Sequence, residues 1–321
     1  MGAALCLLSA ACFGAMAVFG KLAYDAGVSP TALLLVRFGL AAVLLGLVLL
    51  TRPGLRGATP GDGGGERPAT RRGRVVAVAL GLGAIGYATQ ASLYFAALEL
   101  MDASLLALIL YTYPVLVTVA AVLLGRDRLS PRRGAALVAA SGGTLLVLLG
   151  AGGAGFHPLG ALLAFAAAVT YTVYILVSDT VVHRLAPVAL SALVMTGAAG
   201  TLGAGALVTG GVDLSFGWRG WFWLAAIAVI STVVAMLAFF AGLKRTGPST
   251  AAILSTFEPV VTAALATLTL GEALTPAQLA GGALVLAAVA VLQLRAPAGE
   301  RAPGRPVPAR DGLTEPTPAT R

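Results

Sequence analysis

The sequence predicts an all-α integral membrane protein whose ten transmembrane helices form two inverted five-helix repeats. Three observations carry that expectation. The composition is strongly apolar, ten long apolar runs alternate with short polar breaks, and the second half repeats the first in register.

Composition excludes most alternatives. The chain has 321 residues, 58% hydrophobic and 11% charged, with 41 glycines and a mean hydropathy of +0.93. A soluble domain is about 45–50% apolar with glycine already counted, and about 25% charged. No soluble fold of this size has the interior to hide so much apolar surface, which excludes a soluble enzyme, a secreted disulfide scaffold and a disordered chain. Cys6 and Cys12 share the first apolar run and have neither disulfide-framework nor metal-site spacing. A net charge of +8 would suit nucleic acid, but the basic residues sit between apolar runs rather than along a helix face. No nucleic-acid partner is expected.

About 20 apolar residues cross about 30 Å of hydrocarbon. Such runs lie near 2–20, 31–50, 75–98, 103–124, 134–151, 158–177, 186–209, 220–242, 249–270 and 277–294. Pro30, Pro131, Pro158, Pro187, Pro248 and Pro276 stand where helices begin. Nothing alternates with period two over barrel-length segments. The first run lacks a basic leader and a cleavage signature, so it reads as a retained span. With the N-terminus inside, 18 Lys/Arg fall on inside segments, Lys21 and Arg219 outside, and Arg37 within a span. That asymmetry predicts a multi-pass protein of the cell membrane with both termini cytoplasmic. Trp218, Trp221 and Trp223 fall where the eighth span meets the outer interface.

Two halves follow: residues 1–151, including a flexible Gly/Pro/Arg-rich cytoplasmic loop at 52–74, and residues 152–295. The Pro-rich tail 296–321 reads as disordered. Tyr111-Thr-Tyr-Pro114-Val115 answers Thr256-Phe-Glu-Pro259-Val260 at an offset of 145. The same offset pairs Ala96 with Ala241, Leu98 with Leu243, Ser104 with Ser249, Asp127 with Glu272, Leu129 with Leu274 and Pro131 with Pro276. Five spans per half make the second copy enter from the opposite side, the inverted architecture of many secondary transporters.

These residues resemble the EamA-like members of the drug/metabolite transporter superfamily over about residues 1–295. The resemblance is carried by Phe19-Gly20-Lys21, Arg37, Leu98 to Ser104 and Tyr113-Pro114-Val115. It extends through Leu124-Gly-Arg-Asp127-Arg-Leu-Ser-Pro131, Phe257-Glu258-Pro259-Val260 and Leu270-Gly-Glu272-Ala-Leu-Thr-Pro276. Asp127 departs from the family pattern, which more often has Glu there. The resemblance implies a polytopic inner-membrane carrier, often an exporter of amino acids or related metabolites, and leaves the substrate open.

Polar residues inside spans are the candidate site. Glu258 lies about 14 Å along the ninth span, at 1.5 Å per residue, where a charge costs about 2.5–3.5 kcal/mol on insertion scales. It reads as a proton-exchanging group, as a contact for a substrate ammonium, or as a protonated acid bonding a carbonyl freed by Pro259. Tyr87, Gln90 and Tyr94 share one face of the third span, as a pore lining or as interhelical glue. Tyr171 and Tyr174, with Ser178, form a second stripe in the sixth span. Arg37 either pairs with Glu258 or a substrate carboxylate, or snorkels outward beside Asp25. Asp179, near His183 and Arg184, reads as a satisfied loop cluster. Pro114 and Pro259 are symmetry-related kinks suited to gating.

The expected function is secondary active transport of a small metabolite, outward, by alternating access. Proton coupling is possible, and no cofactor, metal or catalytic residue is expected. Partners are the small-molecule solute and membrane lipids, and the chain is a monomer or a homodimer. No phosphate-binding Gly-x-x-x-x-Gly-Lys loop is present, and no catalytic constellation points to an enzyme. A channel, a non-transporting scaffold, or a carrier of lipid-like or sugar solutes remain the alternatives.

Overall fold

The computed structural model describes residues 1–52, 68–124, 131–150, 157–182, 184–246, 254–255 and 257–294. All regular structure among them is helical. The elements are α1 (Gly2–Asp25), α2 (Pro30–Thr51), α3 (Pro68–Gly81), α4 (Ala88–Leu100), α5 (Ala103–Leu110), α6 (Tyr113–Leu123) and α7 (Pro131–Gly150). They continue with α8 (Pro158–Val182), α9 (Pro187–Val208), α10 (Trp218–Ala228), α11 (Ala235–Thr246), α12 (Glu258–Leu270) and α13 (Pro276–Leu294). A π-helical segment at Leu82–Tyr87 joins α3 to α4, and another at Val229–Val234 joins α10 to α11.

Among the described residues, six helices are long and apolar enough to cross a membrane: Gly2–Asp25, Pro30–Thr51, Gly73–Leu100, Pro158–Ser178, Val188–Val208 and Trp218–Phe239. Ala103–Val117, Glu258–Leu270 and Pro276–Ala288 are shorter apolar helices. The first two are short for a local reason. A turn at Tyr111-Thr112 separates α5 from α6, and α12 starts only at Glu258. Each new helix carries proline at its second position, Pro114 and Pro259, where the missing N–H is not needed. The expected kinks at these prolines are therefore helix starts.

Start signals act as the sequence suggests elsewhere. Ser29 caps α2 by accepting the Ala32 N–H at 3.2 Å, and Pro30 is the first helical residue. The burial pattern is that of a membrane helix. On α8 the small residues Ala164, Ala167, Ala168 and Thr172 face the interior, while Leu162, Phe165, Val169 and Val173 are exposed. In water so wide an apolar surface would be an interaction patch; in lipid it is the solvent-facing side.

Glycine sets the closest helix approaches. A Cβ on Gly83 would lie 2.0 Å from the Val194 carbonyl oxygen, and one on Gly197 would lie 2.2 Å from that of Leu80. The third apolar run is thus pressed against α9 backbone to backbone. Gly14 of α1 similarly meets the Glu258 carbonyl, and Thr262 donates to the Gly14 carbonyl at 2.9 Å. That contact seats α1 beside the start of α12.

Candidate functional site

Five tyrosines lead from the turn after α5 to one buried arginine. Tyr111, in the turn after α5, donates to the Ser255 carbonyl at 2.5 Å and lies 3.1 Å from the Glu258 carboxyl. From there the rings follow one another. Tyr111 meets Tyr113 at 5.7 Å between centroids, Tyr113 meets Tyr171 at 4.8 Å, and Tyr171 stacks on Tyr174 at 6.0 Å. Tyr174 meets Tyr87 at 5.5 Å, and Tyr87 meets Phe38 edge-on at 5.4 Å. All these spacings suit offset or edge-to-face aromatic contact.

Arg37 stands at the far end of that chain. It is 1% exposed, among the most buried large side chains of the protein. Its Nε donates to the Thr232 hydroxyl at 3.0 Å and one terminal nitrogen reaches the Tyr87 hydroxyl at 3.5 Å. The guanidinium carbon lies 5.0 Å from the Phe38 ring centroid and 5.6 Å from that of Phe95. Rings at that range attract a cation. Among the described residues its hydrogen bonds go to hydroxyls, not to a carboxylate. Of the expected arrangements, a pair with Glu258 and outward snorkelling beside Asp25 do not describe this placement, which leaves the substrate carboxylate.

The π-helical segments explain how Arg37 is held. A π turn is wider than an α turn and recurs at functional sites. Tyr87 ends the first segment and Thr232 lies within the second, and the two are mates at the offset of 145. Thr232 in turn donates to the Ile227 carbonyl, five residues back, at 3.0 Å. Beside it, the Ser231 hydroxyl is fully buried with no hydrogen-bond partner among the described residues.

The structure thus brings Glu258, Tyr87, Tyr171, Tyr174 and Arg37 into one connected region. Gln90 and Tyr94 are buried on α4, with Tyr94 against Phe95 at 5.1 Å. Pro114 and Pro259 start the helices that flank the tyrosine cluster. The side chains of Asp179 and His183, and residue Asp127, lie outside the described residues. Sequence reasoning missed Tyr111, Tyr113, Thr232, Phe38 and Phe95. Tyr111 and Tyr113 had a usable signal, since they precede Pro114 as Thr256 and Glu258 surround Phe257 before Pro259. A cavity of about 270 Å³ opens elsewhere, between Arg74, Val75 and Val78 of α3 and Val181 and Arg184 at the end of α8.

The EamA-like transporter family matches residues 1–149 and 158–294, most of the sequence. The chain belongs to the EamA-like transporter family. An uncharacterized transporter, YcbK of Bacillus subtilis (strain 168), is 28% identical to this EamA-like protein over 295 residues, covering 87% of this chain and 88% of its own length. An uncharacterized transporter of Archaeoglobus fulgidus is 29% identical over 220 residues, covering 68% of this chain and 77% of its own. A solved crystal structure shares the fold, with a TM-score of 0.61 and 22% identity over 91% of this chain and 96% of the other. The EamA-like chain is accordingly a multi-pass membrane transporter.

Proposed function

We propose that this transporter is a secondary carrier that exports amino acids or closely related zwitterions by alternating access between two inverted halves. The observation that carries the reading is the fully buried Arg37 guanidinium, held by hydroxyls and rings at one end of a tyrosine chain that begins at Glu258. A buried cation with no carboxylate partner among the described residues favours a ligand anion. Glu258 favours an ammonium, and tyrosine faces attract cations while tolerating an apolar or aromatic side chain.

Glu258 also supports proton coupling. Tyr111 has a single hydroxyl proton, and the Ser255 carbonyl takes it at 2.5 Å. The contact between Tyr111 and Glu258 is then completed when Glu258 itself carries a proton. Release of that proton would free the carboxylate for the substrate.

The cavity at Arg74 and Arg184 opens on the face that the charge asymmetry assigns to the cytoplasm. A mouth with two guanidiniums on the inner side suits entry of solutes bearing a carboxylate from the cell interior.

The test is efflux from proteoliposomes preloaded with individual labelled amino acids, with and without an imposed proton gradient. Saturable efflux of at least one amino acid, lost in Arg37→Gln, is the expected result. Absence of efflux for every amino acid, alongside efflux of a sugar or lipid-like solute, would overturn the substrate assignment.

A further inference from the structure

The short helix α5 is held to α12 at both of its ends. At its start, the Glu272 carboxylate accepts the Ala103 N–H at 2.9 Å, the Ser104 N–H at 3.0 Å and the Ser104 hydroxyl at 2.8 Å. At its finish, Tyr111 reaches Ser255 and Glu258, where α12 begins. Between these points α5 lies along α12.

The first attachment is unusual in kind. An aspartate at a helix N-cap ordinarily accepts one of the first N–H groups through its own side chain. Asp102 occupies that position and makes no such bond. The free N–H groups are taken instead by a carboxylate 169 positions further along the chain, which also matches the positive end of the helix dipole. Local geometry at the other side delivers that carboxylate. Gly271 ends α12 in the left-handed conformation, φ 69°, and the Glu272 N–H turns back to the Ala266 carbonyl. The chain thereby points Glu272 away from its own helix and onto α5.

We propose that Glu272 is a gate latch: it closes this end of the transporter by clasping the start of α5, and it lets go when the gate opens. The inference rests on the alternating-access reading and deepens it. Because the two ends of α5 are tied to the two ends of α12, events at Glu258 bear directly on the strut that the latch holds. Three hydrogen bonds to one carboxylate, all at the rim of the helix bundle, form and break together without unfolding either helix. The charge asymmetry places this latch on the outer face, opposite the cavity at Arg74 and Arg184. The repeat mates of Glu272 and Ser104 are Asp127 and Ser249, whose placement lies outside the described residues.

A reporter cysteine tests the latch without any substrate. Leu106, on the first turn of α5, is fully buried. Leu106→Cys is introduced in a Cys6→Ala, Cys12→Ala background and labelled in intact cells with a membrane-impermeant maleimide. With Glu272→Ala added, labelling from outside is expected to accelerate at least five-fold, and with Ser104→Ala by a smaller factor. Unchanged labelling in Glu272→Ala, even with a lowered melting temperature, would reduce Glu272 to a helix cap and overturn the proposal. So would acceleration seen only in inside-out vesicles. Should Glu272→Ala fail to reach the membrane, Ser104→Ala decides alone by the same criterion. Proteoliposomes that carry no amino acid would sink the carrier reading but leave the labelling result intact.

Discussion

Arg37 donates to the hydroxyl of Thr232 across 195 positions of the chain, joining α2 to the second π-helical segment. A hydrogen bond from a charged donor contributes about 1.5–3 kcal/mol net. Thr232→Val keeps the shape and removes the acceptor. It should lower stability by about 1–3 kcal/mol, read as a fall in melting temperature in detergent. Retained stability would mean that Arg37 finds equivalent partners without Thr232.

Arg37→Lys should fare no better than Arg37→Gln in amino-acid efflux. A lysine gathers its three donors on one compact nitrogen and lacks the flat fork whose separate nitrogens reach Thr232 and Tyr87 beside the Phe38 and Phe95 rings. Efflux should drop at least ten-fold, with protein yield preserved. Near-normal efflux in the lysine variant would show that charge alone suffices at this position.

The tyrosine cluster was only partly legible in the sequence. Tyr87, Tyr171 and Tyr174 showed themselves because helical spacing sorts them onto faces. Tyr111 and Tyr113 did not, since they sit in and beside a turn where the period of 3.6 stops applying. Thr232 was visible only as the mate of Tyr87. Its bond to Arg37 depends on how α2 meets the second π-helical segment, which no local pattern encodes. The ends of the long helices were easier, because Ser29 with Pro30, or Gly217 before Trp218, are punctuation that acts locally. The helix breaks before Pro114 and Pro259 read as kinks, since proline alone does not say whether the preceding turn survives.

Glu258→Gln should uncouple the carrier. The amide can still donate to Tyr111, so the contact and the fold are kept. It cannot release a proton. Efflux driven by an imposed pH gradient is expected to fall to the rate seen without the gradient. An unaltered response to the gradient in this variant would remove Glu258 from coupling.

Asp102 lies outside the spans, and its carboxyl is held above the ordinary aspartate range. Partial burial is the largest cause, followed by the nearby Glu272 charge, with Lys21 pulling the other way. A carboxyl raised in this way binds protons more readily folded than unfolded. Its contribution to stability is therefore greatest at low pH and is lost as pH rises through the folded value. Asp102→Asn should thus be more stable than the parent protein at neutral pH. The difference should vanish as pH falls below the ordinary aspartate range, measured by melting temperature against pH. A variant no more stable at neutral pH would show that the Asp102 charge is tolerated without cost.

Gly83→Ala and Gly197→Ala should both disrupt the protein, because each added methyl meets a backbone carbonyl that cannot rotate away. Overpacking costs about 1–3 kcal/mol where side chains can yield, and more is expected here. Gly200→Ala is the control, since nothing lies within 4 Å of its added Cβ. Monodisperse yield and melting temperature should fall for the first two and hold for the third. Equal behaviour of all three would mean that α9 shifts freely on its neighbour.

The π turns at Leu82–Tyr87 and Val229–Val234 have a consequence for what the site can present. An α-helix advances about 100° for each residue, at 3.6 residues per turn. Tightening one wide turn to ordinary α geometry would therefore screw every later side chain of that helix round by about 100°. On the third apolar run, Gln90 and Tyr94 would swing to a new heading while α3 stayed in place. The facing of half a helix is thus set by a single turn, and the lining could be exchanged by a twist with no helix changing its neighbours.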